Sequence, residues 1–144
     1  MTTALSVAQI RDELLTLARH GRVLVLLDAC HSGAMTMDGT PLAMDSDALR
    51  NELDKGNISV ITASSSTEKS VERRHLRHGV FTKAVIDAFP AADADRDGYI
   101  TPTEFFNYID QQVRWRTDSA QSPKMELRGD NITLFAAGPL LMPD

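Results

Sequence analysis

Cysteine occurs once in the 144 residues, at position 30, so no internal disulfide can form. That scarcity fits a reducing compartment, and a cytoplasmic protein is the expectation. The opening stretch, Met1 to Ile10, has neither the basic start nor the continuous apolar run of a secretory signal. No apolar run approaches the roughly 18 residues that span a bilayer, so no membrane partner is expected. Basic residues are also in deficit. Fifteen Lys and Arg against 20 Asp and Glu give a net charge of -5, whereas a binder of the phosphate backbone needs a dense basic face. Nucleic acid is therefore not an expected partner. Internal repeats and low-complexity tracts are missing too. The balance of 42% hydrophobic and 24% charged residues suits one globular domain, 1–144, around one core.

The apolar residues that are present alternate between two periods. From Ser6 to His20 they fall at Ile10, Leu14, Leu17 and Ala18, one face of a helix, with Gly21 as a stop. Val23 to Leu27 is apolar throughout, as in a strand covered on both faces of a parallel sheet. Asp45 to Leu53 reads as a short helix, and the β-branched run Ile58 to Ala63 as the next strand. A polar loop, Ser64 to Arg77, leads to a helix with Val80, Phe81, Ala84, Val85 and Ala88 on its core face. Phe105, Ile109 and Val113 mark another helix, and Ile132 to Ala136 a final strand. This order of helices and strands predicts an α/β fold, a three-layer α/β/α sandwich on a mostly parallel sheet.

Cys30 follows the first strand in Asp28-Ala29-Cys30-His31-Ser32-Gly33. Open parallel sheets build their sites at the carboxyl ends of strands, so this thiol is a candidate nucleophile; a buried structural cysteine is the alternative. Residues two apart on a strand share a face, which places Asp28 and Cys30 toward one crevice. A carboxylate raises a neighbouring thiol's pKa and so activates it poorly, but it anchors a cationic substrate group well. Asp28 is thus a specificity residue, or else a cap on the loop amides that follow it.

The motif around Cys30 resembles that of caspase-like cysteine peptidases, closer to metacaspases and bacterial caspase-like proteins than to animal caspases. Downstream, Ile61-Thr62-Ala63-Ser64-Ser65-Ser66, Glu72, His78-Gly79-Val80-Phe81-Thr82 and Gln121-Ser122-Pro123 resemble that family's segments in family order. The resemblance implies a caspase-like fold and a cysteine endopeptidase with Cys30 as nucleophile. It also implies a substrate site drawing on Asp28, Ser64 and Glu72, with cleavage of a peptide or protein after Arg or Lys.

That family's histidine lies about 50 residues before the cysteine, and 29 residues precede Cys30 here. The resemblance therefore implies a domain that is N-terminally incomplete. Its general base is expected from an upstream segment or a second chain, and the isolated chain is expected to be nearly inactive. His20 reads as a helix end, His31 as a motif residue, and His75 and His78 as parts of the loop and helix start. Ala34 to Leu49, where caspases carry a processing linker, has no Lys or Arg; the basic run Arg73-Arg74-His75-Leu76-Arg77 reads as a solvated loop, with a self-cleavage or pseudosubstrate loop as the alternative. A catalytically inactive caspase-like pseudoenzyme or scaffold is the alternative.

A second constellation, Asp93 to Glu104, matches the EF-hand calcium loop position by position. Asp93, Asp95 and Asp97 offer oxygens at the first, third and fifth places, Gly98 the turn, Tyr99 a backbone carbonyl and Glu104 a bidentate carboxylate. Calcium is the one cofactor this pattern suggests, and a calcium-binding regulatory module is a third reading of the chain. Against it stand the single loop and Pro90, expected to interrupt the entering helix. The alternative is an acidic connector that caps and joins two helices.

Overall fold

The computed structural model describes residues 7–28, 53, 57–63 and 79–138, as a mixed α/β fold. Helix α1 (Val7–Ala18) precedes strand β1 (Val23–Leu27), and β2 (Ile58–Thr62) precedes helix α2 (Val80–Ala91). Then follow β3 (Tyr99–Ile100), α3 (Pro102–Thr117), β4 (Lys124–Glu126) and β5 (Phe135–Ala136). Strands β1 and β2 run parallel, Val23 opposite Ile58 through Leu27 opposite Thr62. On the far edge of β2, β4 pairs antiparallel with Met125 opposite Ile61. Among the described strands this sheet is thus mixed, where the apolar runs suggested a mostly parallel one. Strand β4 escaped sequence reading because two of its three residues are charged and no alternation marks it.

Alternation along β2 divides the core between two apolar clusters, because successive side chains point to opposite faces. Ile58 and Val60 pack with Leu53, Val23, Val25, Leu27 and, from α1, Ile10, Leu14, Leu15 and Ala18. Ile61 and Ala63 join the larger cluster with Leu24, Val80, Phe81, Ala84 and Ala88 of α2 and Phe105, Ile109 and Val113 of α3. All five residues of β2 are buried, which its β-branched sequence suits. Leu17, assigned to the core face of α1, is 55% exposed; Leu15 takes its place, because the buried stripe is centred one residue earlier.

Two further expectations change. Pro90 does not end α2, which continues to Ala91, and the Ala92 N–H still reaches the Ala88 carbonyl at 2.9 Å. In the last turn proline's missing donor removes only one bond before the ladder stops. The strand expected from Ile132 to Ala136 is confined to Phe135–Ala136 and pairs with β3 in a separate two-stranded sheet. Ile132 is 53% exposed. Of the expected helix at Asp45 to Leu53 only Leu53 is among the described residues, helical and fully buried. Among the described residues no helix is long and apolar enough to cross a membrane.

Candidate functional site

Asp28 leaves β1 at its carboxyl end, beside the carboxyl end of β2. The parallel pairing continues one step beyond the strands through Ala63 N–H to the Leu27 carbonyl, 2.9 Å. Ala63's own carbonyl accepts from the buried Gln121 Nε2 at 3.0 Å, tying this end of the sheet to the turn after α3. Leu24 packs on the α2 and α3 side of the sheet. Asp28, an even number of residues on, meets α2 as well: its Oδ2 accepts from Thr82 Oγ1 at 2.5 Å. The same oxygen lies 3.4 Å from where a Cβ on Gly79 would sit, so it rests against the first turn of α2. Gly79 is the N-cap of α2 and supplies no side-chain cap.

Of the four residues expected to bind or attack substrate, Asp28 alone lies in the described part. Cys30, Ser64 and Glu72 lie outside the described residues, as do His31, His75 and His78, the linker at 34–49 and the basic run at 73–77. His20 is described, and its position excludes it from this end of the sheet. It follows α1 ahead of β1, so the five residues of the strand, about 16 Å at 3.3 Å per residue, lie between it and Asp28. Sequence reading assigned no role to Thr82 or Gln121. The signal available for Thr82 was its place three residues after a glycine N-cap, where a hydroxyl can reach a neighbouring acid.

The acidic loop joins α2 to α3. One carboxylate oxygen from each of Asp93, Asp95 and Asp97 lies within 4.8 Å of the others. Backbone N–H groups hold the ring in shape: Asp97 N donates to Asp95 Oδ1 at 3.1 Å, Gly98 N to Asp93 Oδ2 at 3.1 Å, and Tyr99 N to Asp97 Oδ1 at 2.8 Å. Gly98 turns the chain at φ +88°, a conformation glycine adopts without a Cβ penalty. Asp93 Oδ1 is buried and has no hydrogen-bond partner among the described residues. Glu104 is not one of the three clustered carboxylates. Its Oε1 accepts from Ala94 N at 3.2 Å and its Oε2 from Thr101 N at 2.9 Å, so it ties the two ends of the loop together. With the Thr101 hydroxyl it forms a capping box on α3. The Thr101 N–H, followed by the Thr101 hydroxyl, outweighs partial burial and holds the Glu104 carboxyl below the ordinary glutamate range.

Beyond the loop, β3 finds its partner in the chain's own β5, with Leu134 N donating to the Ile100 carbonyl and Ala137 N to the Gly98 carbonyl, both at 2.8 Å. Phe135 stacks on Phe89 at 5.0 Å and meets Phe105 edge-on at 5.5 Å. Asn131 Oδ1 accepts from both the N–H and the hydroxyl of Thr103. Among the described residues the loop is therefore braced by the strap 131–137.

Comparison with known proteins finds no family model, no curated protein and no solved structure that matches this chain.

Proposed function

We propose that this chain carries the cysteine half of a caspase-like endopeptidase site of the metacaspase kind, in a three-layer α/β/α sandwich. The observation that carries the reading is Asp28, whose carboxylate stands at the carboxyl end of a parallel strand pair, two residues before Cys30 in the motif. In this reading Asp28 meets an Arg or Lys side chain of the substrate, with Ser64 and Glu72 completing the pocket. Cys30 attacks the scissile carbonyl as a thiolate. A C–S bond forms, the C–N bond breaks, and a histidine from an upstream segment or second chain passes its proton to the leaving amine. The same histidine then takes a proton from water, which splits the thioester and restores the thiol. The protein acts in the cytoplasm, on a peptide or protein substrate.

A chloromethyl ketone carrying a basic P1 residue, followed by mass spectrometry, tests the thiol: it should label Cys30 and leave Cys30→Ala unmodified. With the histidine-bearing segment supplied, peptides with P1 Arg should be cleaved and those with P1 Asp spared. Preference for Asp, or turnover by Cys30→Ala, would sink the reading. Specific labelling without turnover would favour the inactive scaffold.

The buried, unpartnered Asp93 Oδ1 favours a second reading for the acidic loop, binding of calcium. Hard carboxylate oxygens are the donors calcium takes, and Asp93, Asp95, Asp97 and the Tyr99 carbonyl would hold the ion, joined by Glu104 on release of its carboxylate from the Ala94 and Thr101 amides. Its two positive charges would offset most of the charge of the three clustered acids. Calorimetry at millimolar calcium should show binding that Asp93→Asn weakens at least tenfold. Absence of heat and of any thermal shift would leave the loop as a connector.

A further inference from the structure

We propose that Thr82 is a positioning residue that orients the Asp28 carboxylate toward a cationic peptide side chain, an inference resting on the assignment of Asp28 to substrate binding. A carboxylate turns easily about its last torsion, because that rotation is broad and roughly two-fold. The Thr82 donor has fewer choices: a β-branched side chain in a helix is restricted at χ1, threonine dividing between two wells, and the well taken here brings Oγ1 to Asp28. Its 2.5 Å bond to Oδ2 therefore transfers the rigidity of a helix to an exposed side chain at the end of a strand. Gly79 lies against that same oxygen. Oδ2 is thus held against the first turn of α2, and Oδ1 has no hydrogen-bond partner among the described residues. A positively charged side chain arriving at this end of the sheet meets Oδ1 in one orientation, already set before it binds. Pre-setting of this kind strengthens recognition by removing an ordering cost at the moment of binding.

A stitch that merely fastens β1 to α2 would show the same hydrogen bond, so the test must separate fastening from orientation. N-acetyl-L-arginine amide is titrated into the full chain at low ionic strength and followed by NMR, with N-acetyl-L-norleucine amide as the uncharged control. Thermal unfolding is measured on the same samples. Wild type should bind the arginine probe selectively, and Asp28→Asn should abolish that selectivity. Thr82→Val should weaken binding roughly fivefold, the fold-change that one hydrogen bond's net worth corresponds to. Thr82→Ser, which keeps the hydroxyl but not the restriction at χ1, should bind better than Thr82→Val and short of wild type, even where its melting temperature falls below wild type. The proposal is overturned if wild type does not prefer the arginine probe, if Thr82→Val binds it as wild type does, or if Thr82→Ser is as weak as Thr82→Val. Selective binding without cleavage of arginyl peptides, once the histidine segment is supplied, would defeat the peptidase reading and leave this one standing.

Discussion

Replacing Asp87 with asparagine should loosen the clamp between the two helices that frame the acidic loop, at a cost of about 2 kcal/mol near neutral pH. Asp87 on α2 accepts from Lys83 one turn earlier and, at 2.9 Å, from Arg116 Nη2 on α3. The two contacts differ in worth because their exposure differs. Lys83 is 38% exposed and paired along the helix surface, so its share is about 0.5 kcal/mol after solvent screening. Asp87 and Arg116 are 24% and 21% exposed, and a charge-assisted bond at that depth contributes about 1.5 kcal/mol. Burial by itself would raise the Asp87 carboxyl, but hydrogen bonds from Lys83 and Arg116, and then their charges, outweigh it and hold it below the ordinary range. A carboxyl depressed in the folded state adds stability that is complete above its unfolded value, about 3.9, and is lost as pH falls through the folded value. The gap between wild type and Asp87→Asn should therefore be full at pH 7 and shrink from about pH 4 downward. Urea unfolding at pH 7, 5 and 3, at constant ionic strength, measures it. A double-mutant cycle with Arg116→Gln isolates the pair from other interactions of that arginine. Coupling below about 0.5 kcal/mol, or a gap that does not change with pH, would refute the reasoning.

Three further outcomes are expected. Gly98→Ala, at φ +88°, should cost about 1 kcal/mol or more, whereas Gly21→Ala, with nothing within 4 Å of its added Cβ, should stay within about 0.5; equal costs in urea unfolding would defeat the backbone argument. Phe105→Ala, at a site 1% exposed and edge-on to both Phe89 and Phe135, should cost about 3 kcal/mol or more and speed hydrogen exchange at Leu134 and Ala137, whose persistent protection would show that the strap does not depend on the aromatic cluster. Glu104→Ala should cost about 1 kcal/mol at pH 7 by opening the capping box, and the deficit should shrink as acid protonates wild-type Glu104 below its lowered pKa; a deficit undiminished at pH 2 would mean that the carboxylate charge plays no part.

The local elements were legible because each follows from a period in the chain. Strand β1 occupies Val23–Leu27 as expected, and β2 ends one residue short of the reading. On α2 and α3 the residues read as core, Val80, Phe81, Ala84, Ala88, Phe105, Ile109 and Val113, are all buried. Val85 is half-buried at the edge of the same cluster. Spacing of 3.6 places such residues on one face whatever they pack against. The loop at Asp93 to Glu104 was legible for a similar reason, since its acids hydrogen-bond to amides within the loop and Gly98 takes the positive φ that its position predicts.

Contacts between distant segments left no such trace. A three-residue strand with two charges, β4, exists because β2 offers it an edge, and only pairing across more than 60 residues makes it a strand. The pairing of β3 with β5 depends equally on the aromatic cluster of Phe89, Phe105 and Phe135, assembled from three separate elements. At the candidate site the division is the same. The order of residues put an acid two positions before the single cysteine at the end of an apolar strand, and strand geometry made that acid a candidate for substrate binding. Its hydrogen-bond partner was set by the packing of α2 against the sheet, which brings Thr82 to Asp28 across 54 positions of sequence. Periodicity along a chain can say which face a residue takes; which side chain waits on the other side of the gap is decided by how the elements pack.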